Sequence, residues 1–114
     1  MQFNVHDLLT IRRYSLPIKV FVFNNHGYAS IRATQQNFFG GRLVAADFDS
    51  GVSNPDFKHL AAAYGLAYAY LRDNAAAKQE LPRVLAIEGP VLCEVNISEK
   101  QGISPKASAF KRED

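Results

Sequence analysis

The chain is poor in cysteine and almost balanced in charge. Cys93 is its one cysteine, and thirteen basic against eleven acidic side chains leave a formal net charge of +2 over 114 residues. A lone cysteine forms no internal disulfide, and no basic stretch leads into an apolar segment at the N-terminus, so the expected compartment is a reducing cytoplasm. The basic residues are scattered and form no run that could track a phosphate backbone, which removes nucleic acid from the favoured partners. Apolar runs such as Val20 to Phe23 fall far short of the roughly 20 residues that a membrane-spanning helix needs. No internal repeat or low-complexity tract is visible. What is left is the composition of one globular domain with one core.

Residues Asn4 to Tyr14 place Val5, Leu8, Leu9 and Arg12 on one helical face, with Asn4 as the expected N-cap and Asp7 near the positive helix end. Pro17 blocks simple continuation. Ile18 to Phe23 is a run of apolar and β-branched residues, broken only by Lys19, and reads as a buried strand. Asn24, Asn25, His26 and Gly27 follow at once and end that strand in a loop. Tyr28 to Gln36 opens a helix whose first N–H groups would point at whatever the loop holds. Phe38 to Ser53 carries Gly40, Gly41 and Gly51 without a sustained period. It is expected to be loop, and its length fits a segment that covers a substrate.

The next helix is expected to have Asn54 as N-cap, Pro55 at its first position, Asp56 in its first turn and Gly65 after its end, with Phe57, Leu60, Ala61 and Tyr64 buried. Leu66 to Leu71 reads as a second strand, Asn74 to Ala86 as a helix interrupted at Pro82, and Val91 to Ile97 as a third strand. The expected order is α-β-α-β-α-β. That is an α/β fold: a partial three-layer α/β/α domain around a parallel sheet of about three strands with right-handed crossovers. So thin a sheet would leave faces and edges to neighbours, which hints at truncation. From Ser98 the chain turns polar and aperiodic, so residues 98–114 are expected to form a tail, extended or disordered unless a partner orders it.

Ligands of open α/β sheets bind beyond the carboxyl ends of the strands, where Asn24 to Tyr28 lies. An asparagine carbonyl oxygen is a neutral hard donor, and Mg²⁺ takes oxygen donors together with phosphate oxygens. Asn25 and the main-chain carbonyl of Gly27 could supply two such ligands, though hardly a whole site without a carboxylate. Taken alone, Asn-Asn-x-Gly is more often just a strand-ending turn.

The surrounding pattern is more specific. The segment MQFNVHDLLTIRRYSLPIKVFVFNNHGY, then ASIRATQQNFFGGR, SGVSNPDFKHLAAAYGL and EGPVLCEVNI, resembles the cofactor-binding domain of thiamine-diphosphate enzymes, the acetolactate synthase group in particular, over about residues 1 to 97. In that family a strand ends in Gly-Asp-Gly, a helix follows, and a second strand ends in Asn-Asn. The resemblance implies that Asn25 is a side-chain ligand of Mg²⁺, that Gly27 gives a main-chain oxygen, and that the metal bridges the diphosphate of thiamine diphosphate. It implies that Asn24 supports the loop and that Tyr28, Ala29, Ser30 and Ile31 lie beside the diphosphate, thiazolium and substrate. Some simple 2-keto-acid decarboxylases carry a glutamate at the position of Ile31, so its absence leans towards synthase or lyase branches. FFGGR, residues 38 to 42, resembles a segment that helps close the site.

The Gly-Asp-Gly aspartate and the separate pyrimidine-binding domain of the family have no counterpart in this sequence, so the chain is expected to be a fragment, inactive when isolated. Its parent is expected to decarboxylate or join 2-keto acids as a homo-oligomer or with a complementing subunit. A decarboxylase or lyase of the same family, a non-catalytic remnant or small subunit, and a generic α/β module are the other readings. Among the remaining residues, His26 is expected to be a solvent-facing turn residue, and His6 and His59 to lie on helix surfaces too far apart for a metal motif. Cys93 reads as a small buried hydrophobe. Of Arg12, Arg13, Arg32 and Arg42, only Arg32 lies where it could meet a phosphate.

Overall fold

Period-two alternation along three short apolar segments decides this fold, because each strand must offer one set of side chains to each of two helical layers. The computed structural model describes residues 4–102, so the distal part of the expected tail, 103–114, lies outside the described residues. The elements run α1 (Asp7–Arg13), β1 (Lys19–Asn24), α2 (Ala29–Phe38), α3 (Phe57–Ala63), β2 (Ala67–Leu71), α4 (Asn74–Ala86) and β3 (Val91–Asn96). The first crossover holds two helices, the two read from the sequence after Tyr28 and after Asn54, which the simple alternating order counts as one. All pairings are parallel, and the strand order is β1-β3-β2.

One face of the sheet carries Val20, Val22, Leu92 and Tyr68 against Leu8, Phe57, Ala61 and Leu66, which places α1 and α3 on that side. The other face carries Phe21, Val91, Cys93, Val95 and Leu71 against Val84, Ala77 and Ile87, the side of α4. The layers are thus α/β/α, with β3 at the centre and Val91, Leu92 and Cys93 fully buried. Lys19, the one charge in the first strand, is accommodated because its Nζ donates to the carbonyls of Ile87 at 2.6 Å and Gly89 at 2.7 Å.

Several boundaries differ from the sequence reading for definable reasons. Asn4 does not cap α1. The position falls to His6, and Asn4 instead donates from Nδ2 to Asp7 Oδ2 at 3.3 Å. Leu9 is exposed and Ile11 takes its place beside Val5 and Leu8, since seven residues of helix leave the buried stripe free to rotate to either flank. Asp56, not Asn54, caps α3, its carboxylate accepting from the His59 amide at 2.8 Å. The helix ends where expected: Gly65 has φ 68°, and Leu66 N–H reaches back to Ala61 O at 2.9 Å in the manner of a Schellman turn. Pro82 does not interrupt α4, which runs through it for 13 residues under an Asp73 cap. The proline removes one helical hydrogen bond on an exposed side, while Val84 two residues on stays buried against the sheet. The expected loop from Phe38 onwards starts one residue later, Phe38 being the last residue of α2.

Candidate functional site at the carboxyl end of β1

The two consecutive asparagines have different surroundings. Asn24 is the last residue of β1, and alternation turns it to the same face as Val22 and its register partner Glu94. It is buried, and its amide is fully engaged: Nδ2 donates to Glu94 Oε1 at 2.7 Å, while Oδ1 accepts from the His26 N–H at 3.0 Å and from Asn54 Nδ2 at 3.0 Å. The other oxygen of Glu94 accepts from the Tyr68 hydroxyl at 2.6 Å. Burial, then the hydrogen bond to the Glu94 carboxylate and its negative charge, push the Tyr68 phenol well above its ordinary range. This network ties the end of β1, at the start of the loop, to the interior of β3 and the beginning of β2. By contrast, the Asn25 side chain lines an open cleft, and among the described residues no hydrogen bond holds its amide.

The turn that follows is backbone-specific. His26 sits in the left-handed region at φ 56°, which histidine tolerates better than most residues. Gly27 has φ 157° and pairs as an isolated antiparallel bridge with Asp47, and the Tyr28 N–H donates to Ala46 O at 2.7 Å. A Cβ at Gly27 would collide with the Ala46 carbonyl and lie 2.6 Å from Arg32 Nη1, so only glycine fits. The returning segment is itself pinned. Gln35 clasps Val44 by donating to its carbonyl at 2.8 Å and accepting from its N–H at 2.9 Å. Ser50 Oγ donates to Asp47 Oδ1 at 2.6 Å, and this bond, helped by the Arg32 charge, holds the Asp47 carboxyl below its ordinary value.

The loop, the first turn of α2 and the end of β1 enclose a cleft of about 450 Å³. Asn25, Gly27, Tyr28, Ala29, Ser30 and Ile31, the residues singled out from the sequence, all line it, with Phe23, Asn54 and Phe57 closing its sides. Tyr28 is the N-cap of α2, with no side chain capping the helix, and the first-turn residues Ala29, Ser30 and Ile31 line the cleft. Such a terminus is a ready site for a phosphate group. The donor set fits a hard cation in kind, with one side-chain amide oxygen and one main-chain oxygen, but not in number. No group of three or more His, Cys, Asp or Glu that could hold a metal ion occurs among the described residues. The residues present therefore fit the diphosphate end of a ligand, and they offer a hard cation two oxygen donors and no carboxylate.

Asn54, Glu94 and Tyr68 were not singled out from the sequence as parts of this region. A charged residue inside VLCEVNI was the available signal: on a strand buried on both faces, a carboxylate needs buried donors, and strand parity aims Glu94 at the Asn24 side. Arg32 is buried, and its guanidinium lies under the loop, with Nη2 donating to Asn25 O at 3.0 Å. Arg12 lies over Gly65, Arg13 is exposed at the end of α1, and Arg42 borders a separate shallow cleft with Gln35, Phe39 and Val44. His26 is exposed, and His6 and His59 are surface residues beside Asp7 and Asp56. Cys93 is buried, which pushes its thiol upward and away from thiolate chemistry. No helix among the described residues is long and apolar enough to cross a membrane.

Comparison with known proteins places the chain in a family and shows related folds. The family described as "Thiamine pyrophosphate enzyme, C-terminal TPP binding domain" matches residues 1–95. The acetolactate synthase of Arthrospira platensis is 30% identical over 104 residues, covering 91% of this chain and 18% of that protein. The acetolactate synthase isozyme 2 large subunit of Escherichia coli (strain K12) is 31% identical over 102 residues, covering 90% and 18%. The large subunit from Lactococcus lactis is 30% identical over 113 residues, covering 99% and 19%. The chain thus spans under a fifth of the length of these relatives. The thiamine diphosphate-dependent 4-hydroxybenzoylformate decarboxylase of Rhodococcus jostii RHA1 superposes with a TM-score of 0.72 at 24% identity, over 87% of this chain and 18% of that one, and shares its fold.

Proposed function

Because the chain belongs to the thiamine pyrophosphate enzymes and carries their C-terminal TPP-binding domain, we propose that residues 1–97 grip the diphosphate end of thiamine diphosphate through Mg²⁺ at the carboxyl end of β1, with 98–114 as a polar tail. The observation that carries this reading is the convergence of Asn25, Gly27, Tyr28, Ala29, Ser30 and Ile31 on one cleft at an uncapped helix N-terminus. The Asn25 side-chain oxygen and the Gly27 carbonyl would hold the metal. The first-turn N–H groups of α2 would take phosphate oxygens, and Ile31 and Phe23 would give the apolar wall beside them. When bound, the cofactor supplies the electron sink that decarboxylation of a 2-keto acid needs.

The chain's own residues bind, orient and exclude water. With no counterpart of the pyrimidine-binding domain in this sequence, the isolated chain is expected to bind without turnover. A second copy of this sequence would lack the same groups, so a complementing chain would supply the remaining metal ligands and the contacts to the pyrimidine end. The parent reaction we favour is decarboxylation and carboligation of 2-keto acids, supported by the acetolactate synthase relatives and by the apolar Ile31. A decarboxylase or lyase of the same family is the second reading, supported by the shared fold of the 4-hydroxybenzoylformate decarboxylase. The lone buried thiol is compatible with a cytoplasmic location.

Calorimetric titration of the chain with thiamine diphosphate, with and without Mg²⁺, tests the clamp. Metal-dependent heat that disappears in Asn25→Ala, with the circular dichroism unchanged, is the expected result. A folded chain that gives no heat under either condition sinks the reading for this polypeptide.

A further inference from the structure

We propose that Arg32 is a positioning residue that sets the direction of the Asn25–Gly27 loop from beneath, so that the Asn25 side chain and the Gly27 carbonyl face the cleft. This inference rests on the cofactor-clamp reading of that loop. Side chains of an α-helix tilt towards its N-terminus, so a residue in the opening turn of α2 reaches back under the segment that precedes the helix. Arg32 begins one turn after Tyr28, its N–H donating to Tyr28 O at 2.9 Å. Its Nη2 then donates to Asn25 O at 3.0 Å, with a longer approach to Glu99 O at 3.5 Å. Its Nη1 lies 2.6 Å from where a Cβ of residue 27 would stand, and the Ala46 carbonyl is closer still. The guanidinium thus holds the Asn25 carbonyl from outside the cleft, whose lining does not include Arg32, and adds to the crowding that the Ala46 carbonyl imposes beside Gly27.

The arginine is expensive where it lies. It is 8% exposed, and Nη1 is buried without a partner. A buried charge with an unsatisfied donor destabilises a fold, and an apolar side chain of similar volume is often the more stable choice at such a place. Its retention is explained if the charge-assisted bond to the Asn25 carbonyl orients the loop. Direct binding of phosphate by this side chain is disfavoured by the same geometry, since Nη1 offers no accessible surface and Nη2 is engaged.

Backbone amide exchange in the full chain, followed residue by residue by NMR, reads loop order without any cofactor. In Arg32→Met the amides of His26 and Tyr28 should exchange about tenfold faster, as expected for loss of one charge-assisted hydrogen bond. Those of Leu92 and Cys93 in the central strand should keep their protection, and Mg²⁺-dependent affinity for thiamine diphosphate should fall by a similar factor. Should Arg32→Met fail to fold, Arg32→Lys serves in its place, keeping the charge but losing the planar fork. Unchanged exchange at His26 and Tyr28 in the folded variant overturns the proposal, whatever happens to affinity. Faster exchange in a chain whose wild type binds no thiamine diphosphate upholds the positioning role and rejects the cofactor reading instead.

Discussion

The Asn24 carboxamide and the Glu94 carboxylate meet at 2.7 Å across the β1–β3 ladder, on the face of the sheet that α1 and α3 cover. The two residues are diagonal neighbours, close enough for their side chains to pair. Through this contact, the last residue of β1 is held by the central strand before the loop begins. Glu94 accepts from Asn24 with one oxygen and from Tyr68 with the other. Glu94→Gln keeps the volume but offers one acceptor where two are needed, leaving a buried donor unpaired. We expect a loss of about 1–3 kcal/mol in chemical denaturation. A variant as stable as wild type would show that the network contributes little.

The same network makes a prediction in alkali. The Tyr68 phenol is raised in the folded state by burial first and by Glu94 second. The folded chain therefore holds this proton at pH values where the unfolded chain has released it. The stabilisation is complete below the unfolded value near pH 10 and is lost as pH rises towards the folded value. Absorbance titration should show one of the five tyrosines ionising after the others, and the denaturation midpoint should fall above pH 10. In Tyr68→Phe the late step should vanish and the fall should flatten. A late step that persists would belong to another tyrosine.

Gly27→Ala should act locally and strongly. The new methyl would meet the Ala46 carbonyl and Arg32 Nη1 at a backbone angle disfavoured for alanine. A cost of about 1–3 kcal/mol is expected, measured by denaturation. The amide protection of Tyr28, whose bond to Ala46 O closes the turn, should be lost with it. Retained protection at Tyr28 would mean that the loop accommodates a side chain.

The strands were legible because burial on both faces leaves nearly continuous apolar runs, and β2 and β3 begin or end within one residue of their expected limits. The Asn25 to Ile31 cleft was legible because strand end, turn and helix start are contiguous in the chain. Less legible was whatever depends on distant partners. Asn54 and Asp56 are both competent caps flanking one proline, and the choice fell to Asp56 because the Asn54 amide is drawn to Asn24, thirty positions earlier. Arg32 could be placed near the loop by sequence, yet only packing shows it turned beneath Asn25 rather than out towards a ligand. Glu94 stood in plain view as a charge in an apolar strand, but its purpose required the register of β1 against β3.

The order β1-β3-β2 has a kinetic corollary. Among the described residues the two outer strands never touch, and both pair with the later β3. During synthesis β1 and β2 would leave a ribosome before the strand that joins them. The backbone groups of Lys19–Asn24 would wait for Val91–Asn96, some seventy positions later. Such non-local closure makes for slow folding and a prolonged exposure of strand edges. The strand that buries the core most deeply is therefore also the one whose arrival commits the chain to its final topology.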